Sequence, residues 1–127
     1  MKIRGRHLFC LLHFEGKGYS QDFIENMYKI KESLENRGKF SLVLYCDDIC
    51  KKCPYMENNK CRKDVDNKLM YKDNEIVSRL GLSLEGELYD FAYVKALIFR
   101  NFNRKDFEDL CKDCSWFSLC SERGVFR

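Results

Sequence analysis

The chain has 127 residues, 45% of them apolar and 34% charged, with ten Phe and seven Tyr. That is enough for one modest core, which excludes a disordered chain and a coreless disulfide mini-protein. Its net charge of +3 is the small difference between 23 basic and 20 acidic residues; these are interleaved without the basic stripe of a nucleic-acid binder, so no nucleic-acid partner is expected.

At the N-terminus, Met1 to Phe14 places positive charge ahead of an apolar run, as a secretory signal does. The unbroken apolar stretch is only Leu8 to Leu12, His13 and Glu15 interrupt its extension, and no small-x-small cleavage site follows. No other segment approaches the roughly 18 apolar residues of a bilayer span. The expectation is a cytoplasmic protein with no membrane partner, in a compartment where thiols stay reduced. Clustered cysteines there read as metal-binding or catalytic before they read as disulfides. Periodicity leaves Arg6 to Phe14 open between helix and strand, with helix preferred.

Gly16-Lys-Gly18 lacks the spacing of a phosphate loop and reads as a tight turn before a helix. That helix follows Ser20 as N-cap, with Phe23, Met27, Ile30 and Leu34 on one face and Gly38 placed to end it. Phe40 to Tyr45 is rich in strand formers and leads directly into Cys46-Asp-Asp-Ile-Cys50. Asp47 and Asp48 read as solvated, turn-forming acids, with the orientation of backbone amides or cation binding as the other option. A second helix is expected from about Asp64 to Leu80, where Val65, Leu69, Ile76 and Leu80 form a weaker stripe and Gly81 is the stop. A third follows Asp90, burying Phe91, Val94, Leu97, Ile98 and Phe102. The last is short, capped by Asn103 with Asp106 at its third position, and carries Phe107 and Leu110 inward. The fold expected is mainly α with one short β segment: a small single domain over residues 1–127, with cysteine-bearing loops around a metal site.

Eight cysteines fall into a middle group, Cys46, Cys50, Cys53 and Cys61, a C-terminal group, Cys111, Cys114 and Cys120, and Cys10 alone. Each group contains a C-x-x-C, a spacing that turns two sulfurs towards one point while the intervening amides face the same ion. The C-terminal triplet lacks a fourth thiol nearby, and Cys10 can supply it from upstream, which gives two sets of four. Lys51, Lys52, Lys60, Arg62 and Lys63 around the middle group favour thiolates there. An iron-sulfur cluster is preferred on spacing. Zinc is the principal alternative, with Cys50, Cys53, Cys111 and Cys114 in one tetrahedral site, and buried or redox-active free thiols come third. A thioredoxin-like dithiol is disfavoured because neither C-x-x-C follows a strand-then-helix pattern.

Trp116, between Cys114 and Cys120, reads as a core anchor before a shield for sulfur. His7 and His13 are the only histidines. His7, near Cys10, is the better candidate for a ligand or an acid/base group, although a histidine beside an apolar run is more often a partly buried surface residue. No Ser/His/Asp set, H-E-x-x-H or dinucleotide fingerprint is present.

Arg6-His-Leu-Phe-Cys10, Glu15-Gly-Lys-Gly-Tyr-Ser20, Asp47-Asp-Ile-Cys50-x-x-Cys53-Pro54 with Cys61, and Cys111-x-x-Cys114-x-Trp116 with Cys120 occur in one chain. Together they resemble an uncharacterised family of small prokaryotic cysteine-rich proteins described as predicted iron-sulfur proteins. The family's opening motif has Arg-Pro-His-His before Leu-Leu-Cys, whereas this chain has Arg4-Gly5-Arg6-His7, so one histidine is replaced and one kept. The resemblance implies cofactor binding by Cys10, Cys50, Cys53, Cys61, Cys111, Cys114 and Cys120, and Cys46 is not part of it. Seven cysteines do not make two complete sets of four. Either one cluster takes a non-cysteine ligand or exposes an iron, or one cluster is accompanied by spare or zinc-binding thiols.

The expected function is binding of one or two clusters of the [4Fe-4S] type, for electron transfer or redox sensing with a redox partner protein. The alternatives are an enzyme that uses an exposed iron for sulfur transfer or Lewis-acid chemistry, and a zinc-stapled interaction module. Substrate and oligomeric state are not legible.

Overall fold

The computed structural model describes the chain except residues 15, 17–19, 37, 45, 46, 55, 58, 59, 62–67, 85, 113, 115, 116, 124 and 127, and the side chains of Met56, Glu57, Lys60, Cys61 and Arg123. Expectations for Cys46, Trp116, Gly18, Arg62, Lys63 and the start of the second expected helix lie outside the described residues, as do those for the side chains of Lys60 and Cys61.

The chain opens with a short strand, β1 (Lys2–Arg4), that the sequence reading did not anticipate. The undecided segment after it is helix α1 (Gly5–His13). Leu8, Phe9, Leu11 and Leu12 are all buried, and so are His7 and His13, so that this helix is internal along most of its length.

α2 (Gln21–Glu35) starts where expected, with the Ser20 hydroxyl accepting from the Phe23 N–H, and buries Met27, Ile30 and Leu34. Gly38 N–H donates to Ser33 C=O at 2.7 Å just past its end. β2 (Lys39–Val43) pairs in parallel with β1, Ile3 opposite Leu42 and Arg4 opposite Val43. Parallel neighbours require a crossover, and α1 and α2 form it. A 3-10 turn (Cys50–Lys52) and a two-residue hairpin, β3 (Met56–Glu57) with β4 (Lys60–Cys61), follow.

α3 (Lys68–Leu80) ends at Gly81, whose φ of +69° suits glycine. β5 (Tyr89–Asp90) adds antiparallel to β2, completing the sheet order β1-β2-β5. α4 (Phe91–Asn101) buries Phe91, Val94 and Ile98. α5 (Arg104–Cys111) opens on a reciprocal cap, with Asn103 Oδ1 accepting from the Asp106 N–H at 3.0 Å and Asp106 Oδ2 from the Asn103 N–H at 2.9 Å. A last short helix, α6 (Phe117–Arg123), carries Cys120 and was not foreseen. The architecture is mainly α, as expected, with a small three-stranded sheet where one short β segment was expected.

Two contacts set α1 in place, and α1 in turn sets the sites. It packs on α3 so closely at its start that a Cβ at Gly5 would lie 2.5 Å from the Asp73 carbonyl oxygen. At its other end Phe9 meets Phe102 and Phe126 edge-on at 5.2 and 5.4 Å, and His13 stacks on Phe107 at 4.8 Å. These rings hold the Cys10 turn of α1 against the C-terminal helices.

Candidate metal centres

Cys10 comes from α1, Cys111 ends α5, Cys114 follows in a turn, and Cys120 lies on α6. The turn closes when the Cys114 N–H donates to Cys111 C=O at 2.9 Å, and the Phe117 N–H donates to Cys114 C=O at 3.1 Å. None of the four is in a disulfide. They are near enough to one another for their charges to interact. Burial pushes the Cys10 thiol well up, with the charges of Cys114, Cys111 and Cys120 adding to the effect and Arg6 opposing it. Burial likewise pushes Cys111 up to about 12, with Cys114 and Cys120 adding. Four thiolates gathered this way repel each other, and a bound cation is what stabilises them all at once. Arg6 supplies one positive charge beside Cys10 and Cys114, and its Nε is buried without a hydrogen-bond partner. The upstream cysteine and the C-terminal triplet, paired in the sequence only because a fourth thiol was needed, therefore share one region.

A different set forms at the other C-x-x-C. Cys50 begins the 3-10 turn, and the Cys53 N–H donates to its C=O at 2.9 Å. Cys50 is buried and Cys53 half-buried. Cys61 sits on β4 with its backbone opposite Met56, and β3 lies beside the 3-10 turn.

Asp47, read in the sequence as a solvated turn acid, is 3% exposed and organises this corner. Its Oδ1 accepts from the Cys50 N–H at 3.0 Å. Its Oδ2 accepts from the Arg4 N–H at 2.7 Å and from His7 Nδ1–H at 2.8 Å. Burial alone would raise its carboxyl, but the His7 charge and hydrogen bond and the two backbone donors outweigh it and hold Asp47 below the usual range. Asp48 is the more exposed neighbour, with its Oδ2 accepting from the Lys2 N–H at 2.9 Å and its Oδ1 2.8 Å from Lys51 Nζ.

Among the described residues, Arg4 is the largest fully buried side chain. Asp73 accepts from its Nε at 2.8 Å and its Nη2 at 2.6 Å, and the same carboxylate accepts from the Arg6 N–H at 2.8 Å. Burial opposes the charge on Arg4, but Asp73 and a further hydrogen bond and charge contact with Cys50 overcome it and keep the guanidinium protonated. Asp73 therefore braces two arginines, one serving Cys50 and the other serving Cys10.

His7 lies beside Asp47 and Cys50, so it belongs to this second corner despite being one turn from Cys10 on α1. His13 serves structure: its Nδ1 is 2.7 Å from Phe9 C=O. Asp73 went unnoticed in the sequence, and Arg4 and Arg6 entered only as motif positions without a role. Asp73 left one trace there, since it occupies the gap in the Leu69, Ile76, Leu80 stripe at helical spacing.

A family model described as "Protein of unknown function (DUF1284)" matches residues 18–120, a span that includes the cysteines from Cys46 to Cys120 and begins beyond His7 and Cys10. No curated protein matches the chain. No solved structure does either.

Proposed function

The chain belongs to the DUF1284 family, whose description assigns no activity, and we propose from its thiol chemistry that it binds an iron-sulfur cluster of the [4Fe-4S] type and works in electron transfer or redox sensing. The observation that carries this reading is the gathering of Cys10 with Cys111, Cys114 and Cys120, four thiols from α1, α5, α6 and the turn between the last two.

Single-ion spacing is a useful discriminator. One zinc ion holds four sulfurs at about 2.3 Å, which puts them roughly 3.8 Å apart. His7, Asp47 and Cys50 have ligand atoms within 4.8 Å of one another, near what a single ion takes, while the four thiols come from three helices and a turn. The charge of Arg6 offsets part of the negative charge that a four-thiolate cluster carries, which favours its reduced form. A complete cysteine set leaves no iron exposed for substrate, so this centre fits electron transfer or sensing better than catalysis. Cys50, Cys53 and Cys61 would contribute to a second metal centre. A redox partner protein and residence in the cytoplasm complete the reading.

Anaerobic purification followed by iron, sulfide and zinc quantification and a visible spectrum tests it. Near-stoichiometric iron and sulfide in a brown protein is the expected result. Stoichiometric zinc in a colourless, sulfide-free protein would sink the cluster and leave the zinc-stapled module.

A further inference from the structure

A nitrogen, an oxygen and a sulfur donor converge where α1 passes the 3-10 turn. The ligand atoms of His7, Asp47 and Cys50 all lie within 4.8 Å of one another, and the three residues are buried or nearly so. We propose that His7, Asp47 and Cys50 bind a single divalent transition-metal ion of the zinc and ferrous class, at a site separate from the four-thiol group.

Spacing comes first. An ion about 2.0–2.3 Å from nitrogen, oxygen and thiolate donors needs them some 3.3–3.8 Å apart in a tetrahedron, and the observed spread reaches this with small side-chain movements. The donor mixture then selects the ion. Magnesium and calcium prefer oxygen alone and copper(I) prefers sulfur, whereas one imidazole, one carboxylate and one thiolate suit zinc, iron(II) or cobalt(II).

Charge balance permits burial. Carboxylate and thiolate together neutralise a divalent ion, and Arg4, which contacts Cys50, is itself balanced by Asp73. Binding is written M²⁺ plus the His7 imidazolium that faces Asp47, the Asp47 carboxylate and the Cys50 thiol, giving the complex of imidazole, carboxylate and thiolate and two released protons, one from His7 Nδ1 and one from Cys50 Sγ.

The scaffold is built without the ion. Asp47 is fixed by the Arg4 and Cys50 N–H groups, Cys50 by its place at the start of the 3-10 turn, and His7 by the α1 backbone; the ion takes the place of the hydrogen that His7 Nδ1 shares with Asp47, and the ring keeps its other hydrogen on Nε2. Three protein ligands leave a fourth tetrahedral position for water or a substrate oxygen, the arrangement of a Lewis-acid site.

Anaerobic Co²⁺ titration of the full-length, metal-stripped chain tests the proposal, comparing wild type with His7→Asn and with the Cys53→Ser/Cys61→Ser double variant. Asparagine keeps an N–H donor for Asp47 and removes the ring ligand. Wild type is expected to hold one more cobalt than H7N, where affinity for that ion falls about 100-fold or more, and the double variant to keep that His7-dependent ion whatever cobalt it loses through Cys53 and Cys61. H7N should keep the iron and sulfide of the four-thiol site, which separates this proposal from the cluster reading.

Equal cobalt in H7N and wild type overturns the site. So does loss of the ion in the double variant with retention in H7N, which would assign it to a cysteine-only centre. A measurement on wild type alone covers failure of H7N to fold: cobalt-loaded protein should show a hyperfine-shifted, exchangeable imidazole N–H resonance from His7, assigned by ¹⁵N-histidine labelling. Absence of that resonance also overturns the proposal.

Discussion

At Cys50–Cys53 and at Cys111–Cys114 the backbone closes in the same way, the N–H of the second cysteine donating to the C=O of the first at 2.9 Å in both. The surroundings of the two turns differ. The C-terminal turn meets Cys10 and Cys120, with Arg6 as the nearby positive charge. The middle turn meets His7 and Asp47, with Arg4 against Cys50. The C-x-x-C spacing specifies a turn that aims sulfur; residues from the far N-terminus, Cys10 and Arg6 at one turn and His7 and Arg4 at the other, help to decide what chemistry that sulfur joins. Helix α1 is the divider, since it sends Cys10 to one centre and His7 to the other.

The sharpest way to break the comparison is to remove a sulfur from one side. Cys114→Ser should abolish iron and sulfide binding at the C-terminal centre, as should Cys111→Ser and Cys120→Ser, measured by metal analysis after anaerobic purification. Cys46→Ser should change metal content least; a loss as full as that from C50S would place Cys46 among the ligands.

Asp73 tests what the two centres have in common. Asp73→Ala leaves Arg4 buried without its carboxylate and frees the Arg6 N–H, so a loss of about 3–5 kcal/mol is expected by chemical denaturation. Arg4→Met with Asp73→Leu should recover most of that stability but not metal binding at Cys50. Equal stability of D73A and wild type would remove Asp73 as a brace.

Smaller effects are expected away from both centres. Asn103→Ala removes the α5 cap and should cost about 1 kcal/mol, with metal content unchanged. Asp106, hydrogen-bonded by Arg79 and by the Asn103 N–H, is held below the usual carboxylate range. Its depressed folded value means that its contribution is fully present above the ordinary Asp pKa of about 3.9 and lost as pH falls through the lower folded value. D106N should therefore flatten the acid limb of a stability–pH curve and leave the neutral region nearly level.

What could be read in the sequence followed local rules. Ser20 and Asn103 announced helix starts through side-chain oxygens that reach N–H groups three residues on, and the stripes on α2 and α4 marked faces that are buried. The nearness of Cys10 to the C-terminal triplet was suggested by the sequence, because the triplet lacked a fourth thiol nearby and Cys10 was available. The Asp47 corner was not. Adjacent acids in a loop usually face water, and the donors that make Asp47 a buried organiser are Arg4 and His7, 43 and 40 residues upstream. The Arg4–Asp73 pair spans 69 residues, beyond any window of periodicity. Only the acid in the α3 apolar stripe hinted at it. β1 escaped notice because three residues are too few for an alternation pattern, and its existence depends on pairing with β2.

The central claim is that Cys10 and the C-terminal triplet form one centre from which the middle turn is separate. The most direct test is iron and sulfide content in anaerobically purified Cys10→Ser beside Cys53→Ser. Loss of the C-terminal cluster in C10S, as complete as in C111S, with that cluster retained in C53S, is the predicted result. A cluster that survives in C10S and disappears in C53S would contradict the account.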